Sequence, residues 1–86
     1  MVSVKVLGMG CANCQRLEGL VLKAVSDLGI KASVEKVTDI QEIMSHNVLS
    51  TPGLVVNGEL VSAGRLPTLE EISDWVTKAQ SAESGS

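Results

Sequence analysis

The sequence predicts a small α/β domain of order β-α-β-α-β-β-α, with a cysteine pair at the mouth of its first helix. Three observations predict it. An alternating apolar run, Val2-Val4-Val6, leads through Gly8-Met9-Gly10 into Cys11-Ala12-Asn13-Cys14 and at once into a helical pattern. A second alternating run follows that helix, which makes a right-handed strand–helix–strand unit and therefore a parallel pair. Asn57-Gly58 between two apolar runs marks a hairpin, and a capped helix closes the chain.

Taken in order, Val2 to about Leu7 reads as a strand with Val2, Val4 and Val6 on one face and Ser3, Lys5 and Leu7 on the other. Gly8 and Gly10 flank Met9 in a turn whose backbone can approach another molecule closely. From Cys14 to Leu28 apolar residues recur at helical spacing through Leu17, Leu20, Val21, Ala24 and Val25, and Gly29 is placed to end the helix. Gly19 inside it is a tolerated defect. Ile30 to about Val37 alternates again, as a strand with one wet face near a sheet edge. Thr38-Asp39-Ile40-Gln41 has the form of a capping box opening a short second helix, with Ile40, Ile43 and Met44 as its buried side and His46 at its end. After Ser50-Thr51-Pro52-Gly53 come the two antiparallel hairpin strands. Gly64 breaks the chain, and Thr68-Leu69-Glu70-Glu71 is a second capping box, starting a helix with Leu69, Ile72, Val76 and Ala79 inward and Trp75 at the stripe's margin.

Composition bounds the rest. An 86-residue chain is one small domain, expected over residues 1–80, with the small polar residues 81–86 as a flexible tail. Trp75 is its one aromatic residue, so the core is built from Val, Leu and Ile. A net charge of −3 and the lack of aromatic platforms argue against a nucleic-acid partner. No basic segment followed by a long apolar run is present at the N-terminus, so neither a signal peptide nor a membrane partner is expected, and a cytoplasmic monomer is the default.

The chemistry concentrates in the only two cysteines, Cys11 and Cys14. A thiol reacts as thiolate, and a cysteine at a helix N-terminus meets unpaired backbone N–H groups and the positive end of the helix dipole. Cys11 sits where that help is greatest; Cys14, one turn on, is the deeper sulfur. Those positions assign attack to Cys11 and resolution to Cys14. A single structural bridge closing so short a loop would stabilise little. Structural zinc would want four ligands where only Cys11, Cys14 and a distant His46 are on offer. Two readings are left, a redox dithiol or a two-thiolate site for a soft metal such as Cu(I).

The Cys-x-x-Cys at the first helix, the run Val48-Leu49-Ser50-Thr51-Pro52-Gly53-Leu54-Val55-Val56-Asn57-Gly58, Gly64 and the capped last helix together resemble the minimal thioredoxin and glutaredoxin-like proteins, of the small redox-active disulfide type. The likeness covers about residues 2 to 79. It implies a thioredoxin-like βαβαββα fold with a mixed four-stranded sheet in the order 2-1-3-4 and helices on both faces. It also implies a cis Thr51-Pro52 bond lying against the cysteines. The expected activity is that of a thiol–disulfide oxidoreductase that reduces protein or small-molecule disulfides through a mixed disulfide, with no cofactor and with electrons from a reductase or another thiol. Met9, Gly10, Ser50, Thr51, Pro52 and Gly53 would form the substrate rim, with Thr51 offering its N–H and C=O to an extended partner segment.

The chain departs from thioredoxins where Ala12-Asn13 replaces Gly-Pro and where no Trp precedes Cys11. The carboxylate that assists proton transfer in thioredoxins is also missing, since no Asp or Glu comes before Glu18 and the corresponding place falls near Lys5. If it pointed inward, Lys5 would favour the Cys11 thiolate; an outward Lys5 is plain surface. Met9-Gly10-Cys11-Ala12-Asn13-Cys14 also looks like the M-x-C-x-x-C start of heavy-metal-associated domains, copper chaperones among them. Those modules end in a strand, whereas this sequence places Thr-Pro before a hairpin and closes on a helix. A redox-sensing module without turnover is the third alternative.

Overall fold

The computed structural model describes residues 1–48 and 50–84. Its elements are β1 (Val2–Leu7), α1 (Ala12–Leu28), β2 (Ala32–Val37), α2 (Ile40–Ser45), β3 (Gly53–Val56), β4 (Glu59–Ala63) and α3 (Leu69–Ser84). The four strands form one mixed sheet in the order β2-β1-β3-β4. β1 pairs in parallel with β2 and antiparallel with β3, with Leu7 opposite Gly53 at the end of the sheet from which α1 departs.

Apolar residues on both faces of β1 bury two separate clusters. Val2, Val4 and Val6 join Leu17, Val21 and Ala24 of α1, Ile72 and Val76 of α3, and Leu54 and Val56 of β3. Leu7 points the other way, into a smaller cluster with Val37, Ile43 of α2, Val48 and Val55. Two helices therefore cover one face and one covers the other. Because β1 is clad on both sides and paired on both edges, a slip of one residue would exchange its two faces, and the register is firmly set.

The helix ends follow local chemistry. Gly29 ends α1 in the left-handed conformation with φ 65°, and its N–H donates to the Ser26 carbonyl at 3.2 Å. Asn57 and Gly58, at φ 50° and 82°, make the two-residue turn between β3 and β4. At the start of α3 the capping box closes reciprocally: the Glu71 N–H donates to Thr68 Oγ1 and the Thr68 N–H to Glu71 Oε1, each at 3.1 Å. Arg65 adds a bidentate pair on the same carboxylate, at 2.9 and 2.7 Å.

In three places the structure differs from expectation. The cap of α2 is Asp39, not Thr38, with its Oδ1 accepting the Gln41 N–H at 2.9 Å. Of the apolar residues of α2 only Ile43 is buried, because a helix of six residues presents a single side chain to the sheet, and Ile40 and Met44 stand out. Finally, α3 runs to Ser84, so Ser81 to Ser84 continue the helix rather than belonging to a polar tail; Gly85 and Ser86 lie outside the described residues.

Leu17 is fully buried between α1 and the sheet. Leu17→Ala should lower the unfolding free energy by about 2–5 kcal/mol in denaturant titrations. The Glu71 carboxyl is held down from an ordinary 4.5 to about 2, first by the hydrogen bond from Arg65 and then by the Thr68 N–H. A group depressed in the folded state contributes stability above its unfolded pKa and loses it as pH falls through the folded one. The deficit of Glu71→Gln in Tm should therefore be full at pH 7 and close between about pH 4.5 and 2.

Candidate functional site

The site lies where β1 ends and α1 begins. Cys11 is the N-cap residue of α1, extended at φ −67° and ψ 163°, and its Sγ accepts the N–H of Cys14 at 3.1 Å. Sulfur thus takes the place usually held by a capping oxygen. The first turn closes with the Gln15 N–H on the Cys11 carbonyl at 3.0 Å, while the Gln15 side chain reaches back to the Gly10 carbonyl at 3.4 Å. Gly10 carries a φ of 83°, the left-handed region that suits glycine. Cys11 and Cys14 are joined in a disulfide, with their Cα atoms 5.0 Å apart.

The two sulfurs occupy different environments. Cys11 is exposed, whereas Cys14 is 5% exposed. Gly8 explains part of that burial. A Cβ added there would overlap the Cys14 Sγ and would stand 3.1 Å from its Cβ and 3.8 Å from the Cβ of Thr51. The close approach expected of this turn is therefore made first within the molecule, by the helix on the strand end.

The same measurement places Thr51 beside Gly8, the residue against which the buried sulfur packs. The β1–β3 pairing brings the segment before β3 to the cysteine end of the sheet, and the Thr51–Pro52 bond in that segment is cis. The Pro52 carbonyl accepts the Gly64 N–H at 3.0 Å, which ties this turn to the β4–α3 connection. Met9, Gly10, Ser50 and Thr51 are exposed; Pro52 and Gly53 are buried. A Cβ on Gly53 would meet Val48 and Leu7 at 3.3–3.4 Å, so this residue faces the smaller core cluster.

Lys5 is half-buried on the same face of β1 as Leu7, with Glu35 as its neighbour on β2. His46 caps the C-terminal end of α2 with its backbone N–H on the Ile43 carbonyl at 3.2 Å. Among the described residues no three His, Cys, Asp or Glu side chains gather as a metal site.

Sequence reasoning missed Ile40 and Met44. Their spacing assigns them to the core, yet they stand 57% and 64% exposed. With Met9, itself 68% exposed, they line a shallow apolar groove whose other walls are Ile43, Val48 and Thr51. A six-residue helix cannot bury an i, i+3, i+4 set, and that length is the signal that could have found them. A separate cleft, lined by residues that include Trp75, Leu60 and Lys78, opens at the opposite end of the sheet beside the Asn57 turn and includes neither cysteine.

The family described as Thioredoxin domain matches residues 2–77. A thioredoxin from Methanothermobacter thermautotrophicus is 43% identical over 72 residues, spanning 84% of this chain and 94% of that protein. One from Methanocaldococcus jannaschii is 40% identical over 74 residues, spanning 86% of this chain and 85% of that protein. No helix among the described residues is long and apolar enough to cross a membrane.

Proposed function

We propose that this chain, which belongs to the thioredoxin family and is a thiol–disulfide oxidoreductase, reduces disulfides by attack of Cys11 and resolution by Cys14. The observation that carries the assignment of roles is the contrast between the sulfurs: Cys11 is exposed at the helix mouth, and Cys14 is nearly enclosed. In the reduced protein the N–H of Cys14, directed at the Cys11 Sγ, and the positive end of α1 favour the nucleophilic thiolate.

The steps balance as a two-electron exchange. The Cys11 thiolate attacks one sulfur of the substrate disulfide, a Cys11–substrate bond forms and the other substrate thiolate leaves. Cys14, deprotonated, then attacks Cys11, the mixed bond breaks and the second substrate thiolate departs. The substrate gains two electrons and the Cys11–Cys14 disulfide forms. A reductase or a thiol of the cell returns those electrons, and a reducing compartment, the cytoplasm, is where such a cycle runs.

The rim of Met9, Gly10, Ser50 and Thr51 is where a substrate segment would lie, with the buried Pro52 and Gly53 shaping it from beneath. Thr51, an exposed residue near Cys14, would offer its backbone N–H and C=O to an extended segment. The groove of Met9, Ile40 and Met44 continues that rim and would take an apolar side chain flanking the target cysteine, two flexible thioethers adapting to its shape.

Cys14→Ser should accumulate a mixed disulfide on Cys11 when mixed with a disulfide-bonded protein, detected as an adduct by mass spectrometry. Recovery of no adduct on Cys11 would remove the mechanism. Met44→Glu should raise KM for a protein disulfide about tenfold while kcat is kept, as expected when about 1.5 kcal/mol of apolar burial is lost.

A further inference from the structure

The sulfur of Cys14 needs a seat, and the structure shows what provides it. Gly8 follows the last residue of β1, and its N–H is fixed to the Val37 carbonyl of β2 at 3.0 Å. Its backbone lies outside the left-handed region that Gly10, Gly29, Gly58 and Gly64 occupy. Conformation therefore does not demand glycine at position 8; space does. A Cβ there would overlap the Cys14 Sγ and crowd the Cys14 Cβ at 3.1 Å, with the Thr51 Cβ at 3.8 Å. The end of β1, the first turn of α1 and the far-off Thr51 meet over this one missing side chain.

We propose that Gly8 is a positioning residue for the dithiol: the void it leaves is the seat of the Cys14 sulfur, and the size of residue 8 sets how strongly the disulfide is held relative to the two thiols. The two redox states respond differently to filling that void. In the disulfide, Cys14 Sγ is tethered to Cys11 and cannot leave its place over Gly8. In the dithiol the tether is gone, and the Cys14 side chain is free to rotate to another staggered position. A methyl group at position 8 consequently penalises the oxidised state more than the reduced one.

The inference rests on the oxidoreductase reading for its functional meaning, but the clash itself does not. The test equilibrates the parent and Gly8→Ala with glutathione and its disulfide. Two glutathiones give up their protons and two electrons, forming one S–S bond, while the Cys11–Cys14 bond breaks and two thiols form. Alkylation followed by mass measurement reads the oxidised fraction. The constant for disulfide formation in Gly8→Ala should fall at least tenfold, a rise of about 30 mV in potential. A folded variant whose constant stays within twofold of the parent overturns the proposal.

Thermal unfolding supplies a second readout that turnover does not enter. The fall in Tm on Gly8→Ala should be larger for the oxidised than for the reduced protein; an equal fall in both overturns the proposal, since a merely structural glycine would act on both alike. If oxidised Gly8→Ala fails to fold, the pair Cys14→Ala and Gly8→Ala/Cys14→Ala decides. With the sulfur removed, only the 3.1 Å approach of the two Cβ atoms is left to relax, so the added methyl should cost less stability than in the oxidised parent, and loss of folding in the double variant counts against the seat. A parent protein that never cycles would speak against the oxidoreductase reading and leave these stability comparisons intact.

Discussion

The register between β1 and β3 is the constraint on which the rest of the molecule depends. Val4 opposite Val56, Val6 opposite Leu54 and Leu7 opposite Gly53 hold the central strand between two apolar clusters, and no other alignment satisfies both. Everything at the site follows from where this pairing stops. β1 ends at Leu7 and hands the chain to Gly8; β3 begins at Gly53, so Thr51 and Pro52 lie at the same end of the sheet. Two segments more than forty residues apart in the chain are thereby delivered to one pair of sulfurs. The chemistry is local to the cysteines, but its geometry is set by hydrophobic burial farther along the strands.

Much of this was legible in the sequence because the signals were redundant. The order of elements rests on features that agree with one another: period-two alternation in Val2-Val4-Val6, helical spacing after Cys14, Asn57-Gly58 between apolar runs, Gly29 at a helix end, and Thr68 with Glu71 as a reciprocal cap. Each of these is local chemistry, readable over a few residues. The sheet order β2-β1-β3-β4, by contrast, came from family resemblance, since which strand lies beside which is decided by long-range pairing that no short window contains.

The misreadings have separate physical causes. Ile40, Ile43 and Met44 have the spacing of a buried stripe, but a helix of six residues turns only one of them, Ile43, onto the sheet. Thr38 and Asp39 both can cap a helix, and their order in the chain does not say which does; Asp39 takes the place, and Gln41 supplies the N–H. At the other end, Ser81 and Ala82 are ordinary helix residues in a run with no breaker, so α3 continues through them. The pairing of Gly8 with Cys14 was beyond the sequence altogether, because the absence of a side chain leaves no pattern to recognise.

The modest anchoring of α2 has one more consequence. The domain is thick on the side of α1 and α3, and thin on the side where a single isoleucine secures six helical residues. Cooperative units of a protein open in order of how much apolar surface each buries. The layer next to the disulfide is accordingly the least expensive to lift away. The protein keeps its rigidity under the cysteines and its compliance beside them.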